Sequence, residues 1–322
     1  MGTTGAAMLL IRPVIKTNSQ RKFKVHTILF FIAIVANAGG LLTPLGDPPL
    51  FLLYLRGAEF SWFFHMVPEW AFVNALLLLI YFIADSYYYK KEPIENIKFD
   101  RANIVPLSLQ GNINFLFLAG VVASVAFLNE QYLPVMKENA WAGFIREGAI
   151  VAMVILSLLF TKKPIREANK FSWGPILEVA FLFLGIFITM IPALQYLKAH
   201  AHDLGISSNA QYFYATGSLS AFLDNAPTAV SFYNLAIGMN DGGVAIPGPG
   251  YVAGIGEMVL TAICLGAVLF GAMTYIGNGP NFMVKAIAEE NKIEMPSFFG
   301  YMIKFSLIVL LPIFILVQLI FL

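Results

Sequence analysis

Two polar segments stand out in a chain that is otherwise almost wholly apolar: Thr43-Pro44-Leu45-Gly46-Asp47-Pro48-Pro49 and Asp224-Asn225-Ala226-Pro227-Thr228. Each sets a carboxylate among prolines and small residues that interrupt a helix. A charged side chain at the centre of an apolar span costs about 2.5–3.5 kcal/mol on insertion scales, so Asp47 and Asp224 ask for a partner or a task. A carboxyl group removed from water holds a proton or a cation, and the two exclude each other from one site. Exchange of sodium against protons needs that competition, and a pair of acidic groups would repel a carboxylate solute. The opposite chemistry has its own donors. Asn225, Thr228, Asn278 and Asn281, with the N–H groups of helices that start after the breaks, suit a bound carboxylate. Capping is the structural alternative: Asp224 can cap the helix near Pro227, and Asp47 the one opened by Pro48-Pro49.

The first segment recurs. Thr43 to Phe51 aligns with Thr274-Tyr275-Ile276-Gly277-Asn278-Gly279-Pro280-Asn281-Phe282 at a constant offset of 231 residues (274 − 43). Thr, Gly, Pro and Phe coincide, Leu45 matches Ile276, and Asp47 matches Asn278. Each copy follows an apolar helix rich in small residues, Ala36, Ala38, Gly39 and Gly40 in one and Gly266, Ala267, Gly271 and Ala272 in the other. Gly277 and Gly279 would otherwise read as a simple kink. Unwinding at such points frees carbonyls that replace an ion's hydration shell, provided they face a cavity and not lipid.

The elements that must position these residues follow from composition. The 322 residues are 58% hydrophobic and 12% charged, with net charge +1, and the mean hydropathy is +0.74. Soluble domains carry about 25% charged residues, so a water-soluble globule, a disordered chain and a nucleic-acid binder are excluded. Cys264 is the single cysteine, which rules out a disulfide framework, a zinc ribbon or an iron–sulfur site. Runs of about 20 apolar residues predict spans near 68–88, 111–128, 141–161, 172–195 and 297–321. Stretches 24–57 and 251–291 are longer and interrupted. The arms of 211–238, broken at Asp224 to Pro227, are too short to cross singly and predict a re-entrant hairpin. An apolar arm at 5–11, ending at Arg12-Pro13, is also too short. Threading the spans puts the Lys/Arg-rich loops 12–24, 89–110 and 162–171 on one side, which is therefore cytoplasmic, while 129–140, 196–210 and 239–250 are poor in Lys/Arg. In this topology the two interrupted helices run in opposite directions, and inverted repeats with broken helices point to a secondary transporter.

At these residues the chain resembles the ion transporter superfamily of sodium/proton antiporters and citrate or dicarboxylate carriers. Within it, the chain is most similar to bacterial sodium/proton antiporters that are also labelled citrate-transporter-like. The likeness is carried by Gly2 to Pro13, Asn37 to Gly57, Ser218 to Thr228 and Thr274 to Glu290. It implies an all-α polytopic fold with inverted repeats, re-entrant hairpins and two interrupted helices, forming a scaffold and a transport domain in a homodimer of the bacterial inner membrane. It implies a site made of two hairpin tips and two breaks. Thr3 and Thr4 form the first tip and Gly46 and Asp47 the first break, with Asp224, Asn225 and Thr228 at the second tip and Gly277, Asn278 and Asn281 at the second break. Relative to that pattern the chain lacks the early helices and the incoming arm of the first hairpin, an expected N-terminal truncation. Residues 1–110 are then the remainder of the first repeat and 111–322 the second.

The function expected is sodium/proton antiport, with Asp224 and Asp47 as the competing charges. Thr43 and the backbone oxygens at Gly46 and Gly277 complete a sodium site. The solute is a small inorganic cation, with cation-coupled citrate or carboxylate transport as the alternative and a truncated non-transporting membrane protein as a third reading. No cofactor beyond the transported Na⁺ and H⁺, no transition metal and no nucleic acid is expected. An enzyme is not expected either. The His-Glu-x-x-His of helical zinc proteases is absent, and Pro44 stands where intramembrane aspartyl proteases have the first Gly of Gly-x-Gly-Asp. Asp85 beside Tyr87-Tyr88-Tyr89 reads as an interfacial belt, and Glu178 as structural. Glu257 reads as one turn into its helix, Lys285 and Glu289 as an i,i+4 pair, and the four histidines as lacking a carboxylate partner at metal-ligand spacing.

Overall fold

A computed structural model describes residues 2–103, 109–130, 132–168, 173–240 and 250–322. Most of segment 239–250, Lys170, and the side chains of Arg101, Lys137 and Glu178 lie outside the described residues. The chain forms two compact units, residues 1–103 with 184–322, and 104–183.

In the larger unit, α1 (Thr3–Thr17) buries Thr3, Ala7, Ile11 and Ile15. That spacing of four residues is one helical face. The stripe explains why the helix runs past Pro13, where the sequence places the start of a loop: Ile15 continues the buried face one turn further. α2 (Val25–Ile34) leads into a 3₁₀ stretch, Ala38–Leu42, and after a break α3 (Pro48–Tyr54) resumes. A second 3₁₀ stretch, Phe60–Met66, feeds α4 (Val67–Tyr89), and α5 (Ile94–Ala102) follows. The smaller unit holds α6 (Ile113–Phe127), α7 (Val135–Glu138), α8 (Phe144–Phe160) and α9 (Lys163–Ala168). α6 and α8 are fastened where Asn114 Oδ1 accepts from Ser157 Oγ at 2.7 Å and Thr161 Oγ1 at 2.8 Å. Such interhelical bonds recur in membrane bundles because apolar contact alone does not drive association in lipid.

α10 (Gly174–Ala199) ends in the larger unit, which continues with α11 (Asn209–Ser220) and α12 (Asn225–Met239). The two arms are 12 and 15 residues long, about 18 and 22 Å at 1.5 Å per residue. Neither reaches the roughly 30 Å of a hydrocarbon core, as expected of a hairpin. A two-stranded hairpin, β1 (Tyr251–Val252) with β2 (Ile255–Gly256), then replaces the helical start expected at 251. Its turn residues Ala253 and Gly254 have φ of +50° and +80°, the conformation of a two-residue turn that no helix accommodates. Glu257 is accordingly the first residue of α13 (Glu257–Phe270), one turn earlier than its sequence reading, and it accepts from Trp62 Nε1 at 2.9 Å. α14 (Gly279–Glu290), α15 (Phe298–Tyr301), a π-helical stretch Met302–Leu310, and α16 (Leu311–Phe321) complete the chain. α13 is buried continuously from Leu260 to Phe270 and packs along α11. Small residues permit this approach: a Cβ at Gly266 would lie 2.6 Å from Phe213 O, and one at Gly217 would lie 2.6 Å from the Phe270 ring.

Among the described residues, four helical stretches are long and apolar enough to cross a membrane, Val25–Leu42, Phe60–Tyr89, Trp141–Phe160 and Phe298–Phe321, and Ile113–Phe127, Phe183–Ala199 and Glu257–Met273 are shorter apolar helices. The chain is an all-α polytopic membrane protein. The base of α2 is tied to α4 by a polar cluster. Asp85 Oδ1 accepts from Arg21 Nη1 at 2.6 Å and lies 2.9 Å from His26 Nε2, so one histidine does have a carboxylate partner, brought to it by folding across 59 residues. Lys285 and Glu289 pair at 2.8 Å as expected. Just past α4, buried Glu92 accepts the backbone N–H groups of Phe23 at 2.7 Å and Lys22 at 3.0 Å.

Burial by itself would raise the Glu92 carboxyl, but the Phe23 and Lys22 N–H bonds, Asn96 and the charge of Arg21 hold it below the ordinary value of 4.5. A carboxyl lowered on folding adds stability above its unfolded value and loses it as pH falls through the folded one. After correction for intrinsic rates, hydrogen exchange at the Lys22 and Phe23 amides is expected to accelerate below about pH 4.5 in the native protein. In Glu92→Gln no such acid-induced step should remain; an identical step there would remove Glu92 as its cause.

Candidate functional site

The two breaks share one backbone. Thr43 (φ −146°, ψ 155°) and Thr274 (φ −139°, ψ 169°) are both extended. Asp47 (φ −141°, ψ 145°) and Asn278 (φ −148°, ψ 135°) are extended N-cap residues of α3 and α14 that make no side-chain capping bond. Both breaks are folded tightly on a glycine. A Cβ at Gly46 would lie 2.0 Å from Gly40 O, and one at Gly277 would lie 2.7 Å from Gly271 O and from Ser220 O. Gly40 and Gly271 are themselves at equivalent positions of the repeat. Only glycine lets each loop close on the carbonyl of the turn before it.

Asp47 is the centre of the arrangement and is 1% exposed. Its Oδ1 accepts from the Thr3 hydroxyl and, at 3.4 Å, from Asn278 Nδ2, while Oδ2 accepts from Asn225 Nδ2 at 2.6 Å. The backbone N–H of Thr3 donates to Gly46 O at 2.7 Å, fastening the first tip to the first break. Thr3 and Asn225 are the first residues of α1 and α12, and Asp47 and Asn278 cap α3 and α14. Four helix starts thus surround one carboxylate. Their positive dipole ends and amide donors compensate a charge that has no ion pair among the described residues.

The second break mirrors this with neutral groups. The Thr274 hydroxyl donates to Ala221 O at the second tip and accepts from Gly277 N at 3.1 Å. Asn281 Nδ2 donates to Gly271 O at 2.7 Å and Thr274 O at 2.9 Å. Asn225 is 1% exposed, and its Oδ1 is enclosed without a hydrogen-bond partner among the described residues. With Nδ2 committed to the carboxylate, that oxygen is an uncommitted acceptor beside Asp47.

The other residues singled out from sequence fall around this core. Asp224 is half-buried and caps α12, accepting the Ala226 N–H at 3.0 Å, so its carboxylate does the work that sequence left open for both aspartates. Thr228 donates to Asp224 O at 2.9 Å. Thr43 offers its carbonyl to Gly46 N at 2.8 Å. Thr4, half-buried on α1, is not among the groups bonded to Asp47. Sequence reasoning missed Asn37 and Thr274, both 0% exposed. Thr274 was accessible as the repeat partner of Thr43, whereas Asn37 has no polar counterpart at the repeat offset, where Val268 stands. Among the described residues no group of three or more His, Cys, Asp or Glu is placed to hold a metal.

Comparison with known proteins places the family described as "Putative citrate transport" over residues 1–322 of this chain. No curated protein and no solved structure matches it.

Two pairs of substitutions test the Asp224 cap and the glycine of the second break by stability alone. Asp224→Ala is expected to cost about 0.5–2 kcal/mol by removing a cap, whereas Asp224→Ser, a good capping residue, should restore most of it. Equal apparent melting temperatures for the two variants in detergent would show that the cap is not what Asp224 contributes. By the same assay Gly277→Ala should lose at least about 1–3 kcal/mol through overpacking, while Gly279→Ala, whose Cβ would meet nothing within 4 Å, stays near the wild type.

Proposed function

Because the chain belongs to the family described as "Putative citrate transport", it is a membrane transporter, and we propose that it exchanges sodium for protons at Asp47 by alternating access. The observation that carries this reading is a single carboxylate, enclosed by hydroxyl and amide groups, with an unpaired amide oxygen next to it. Such a carboxylate is tolerated with a proton on it or with a cation against it, and each displaces the other. Asp47 is therefore the exchanging group. Asn225 Oδ1, the Thr3 hydroxyl, Thr43 and the carbonyls at Gly46 and Gly277 supply oxygen ligands from the unwound backbone and its flanks, while Asn278 and Asn281 hold the second break against Asp47 through their amide donors. Asp224 and Thr228 close the second tip, and the Asp224 charge, one residue before Asn225, adds to the attraction for a cation. Thr4 lines the first tip.

The same proposal extends to the setting. The two breaks belong to inverted repeats, residues 1–110 and 111–322. The protein works as a homodimer in a bacterial inner membrane with the Lys/Arg-rich segments 12–24, 89–110 and 162–171 on the cytoplasmic side.

A second reading, cation-coupled carboxylate uptake, is favoured by the family description and by the helix starts that converge at the site. The two differ in what they do with Asp47: a carboxylate solute is repelled by it, a cation is held. In proteoliposomes with a trapped pH indicator, sodium addition should drive proton release, and Asp47→Asn should abolish it while the protein remains monodisperse. Radiolabelled citrate should not accumulate under a sodium gradient. Citrate uptake without sodium-driven proton movement would replace the first reading by the second.

A further inference from the structure

We propose that Asn37 is a positioning residue that aims Asn278 at Asp47 and so ties the second break to the first. The inference rests on the reading of Asp47 as the working carboxylate.

Asn37 is fully buried at the point where α2 gives way to its 3₁₀ continuation, with a non-helical backbone (φ −140°, ψ −84°). Both ends of its amide are engaged. Nδ2 donates to Ile32 O at 2.9 Å and to Asn281 Oδ1 at 2.8 Å, and Oδ1 accepts from Asn278 Nδ2 at 3.1 Å. Asn278 Nδ2 also reaches Ala36 O at 3.2 Å and Asp47 Oδ1 at 3.4 Å.

The polarity of this chain of amides is forced from one end. Asn281 turns its NH₂ group to two backbone carbonyls of the second break, Gly271 O and Thr274 O, so it shows its oxygen to Asn37. Asn37 must answer with NH₂, which leaves its own oxygen for Asn278. Asn278 must then present NH₂, the group that a carboxylate accepts. Reversing Asn37 alone would set oxygen against oxygen at Asn281 and NH₂ against NH₂ at Asn278. Asn37 does not touch Asp47; it acts through Asn278. The space for its oxygen is kept by Gly271, where a Cβ would lie 3.0 Å from Asn37 Oδ1 and 3.5 Å from Asn225 Nδ2.

Carbodiimide labelling of Asp47 in the purified full chain, read by peptide mass spectrometry, tests this without any transported solute. The reagent reacts with protonated carboxyl groups, and a lost donor to the carboxylate favours that form. Asn278→Ala should speed Asp47 labelling several-fold. Asn37→Ala should speed it by the same factor, and the double variant should be no faster than either. Ser220→Ala, which removes a buried bond to Ala267 O elsewhere in the unit, should label at the wild-type rate. Gly271→Ala keeps every hydrogen-bonding group and crowds the Asn37 oxygen, so it too should label faster, and it serves if Asn37→Ala does not fold. A wild-type rate in Asn37→Ala, multiplied factors in the double variant, equal acceleration by Ser220→Ala, or no labelling of Asp47 in any variant would overturn the proposal. Protection of wild-type Asp47 by sodium is scored separately and bears on the exchange reaction alone.

Discussion

The arrangement depends on keeping one carboxylate, Asp47, out of water without a basic partner among the described residues. Isolated burial of that charge would be prohibitive, and a lysine or arginine beside it would neutralise it permanently. The fold uses weaker, dispersed compensation. Hydroxyl and amide donors come from Thr3 on α1, Asn225 on α12 and Asn278 at the cap of α14, and the carboxylate itself stands at the start of α3. A helix can present its start in the interior only if the chain unwinds there, so the breaks follow from the charge. Each break needs a loop folded back on its own preceding turn, and that is why Gly46 and Gly277 sit against the carbonyls of Gly40 and Gly271.

The difference at one position of the two matched breaks then sets the character of the site. The two breaks match in backbone conformation, but one carries Asp47 where the other carries Asn278, and the two side chains are hydrogen-bonded to each other. Carboxylates at both positions would repel across that contact, and amides at both would leave no charge there. Charge at one break and donor at the other hold a single negative centre at the place where the two breaks meet. The remaining amides, Asn281 and Asn37, extend the donor's alignment back to the second break.

The loop that joins α1 to α2 is held by a separate set of groups. Arg21, His26 and Asp85 form one cluster, and Glu92 fixes the backbone at Lys22 and Phe23. α1 brings Thr3 to Asp47, and α2 brings Asn37 to Asn278. Fastening their shared base to α4 constrains two contributors to the buried network from its far end.

Hydropathy, the paired Gly and Pro motifs and the short arms of 211–238 were enough, by themselves, to establish an all-α membrane chain with two matched breaks and a hairpin. These are local properties: an apolar run, a missing backbone donor, a glycine. Asp47 and Asn278 at the breaks were legible for the same reason, because the repeat marks their position twice. What sequence could not decide is how two aspartates in similar surroundings divide their roles. Capping is available to both, and only packing shows that Asp224 caps α12 while Asp47 turns to Thr3, Asn225 and Asn278. Asn37 was silent because it lies beside a helix end with no repeat partner, and its bonds run to residues 241 and 244 positions away. The turn of β1 and β2 likewise hid in an apolar stretch until the positive φ angles of Ala253 and Gly254 appeared. Composition and spacing govern which segments enter the membrane and where they unwind; the partner of a buried polar atom is a matter of distance in space, which only the folded chain fixes.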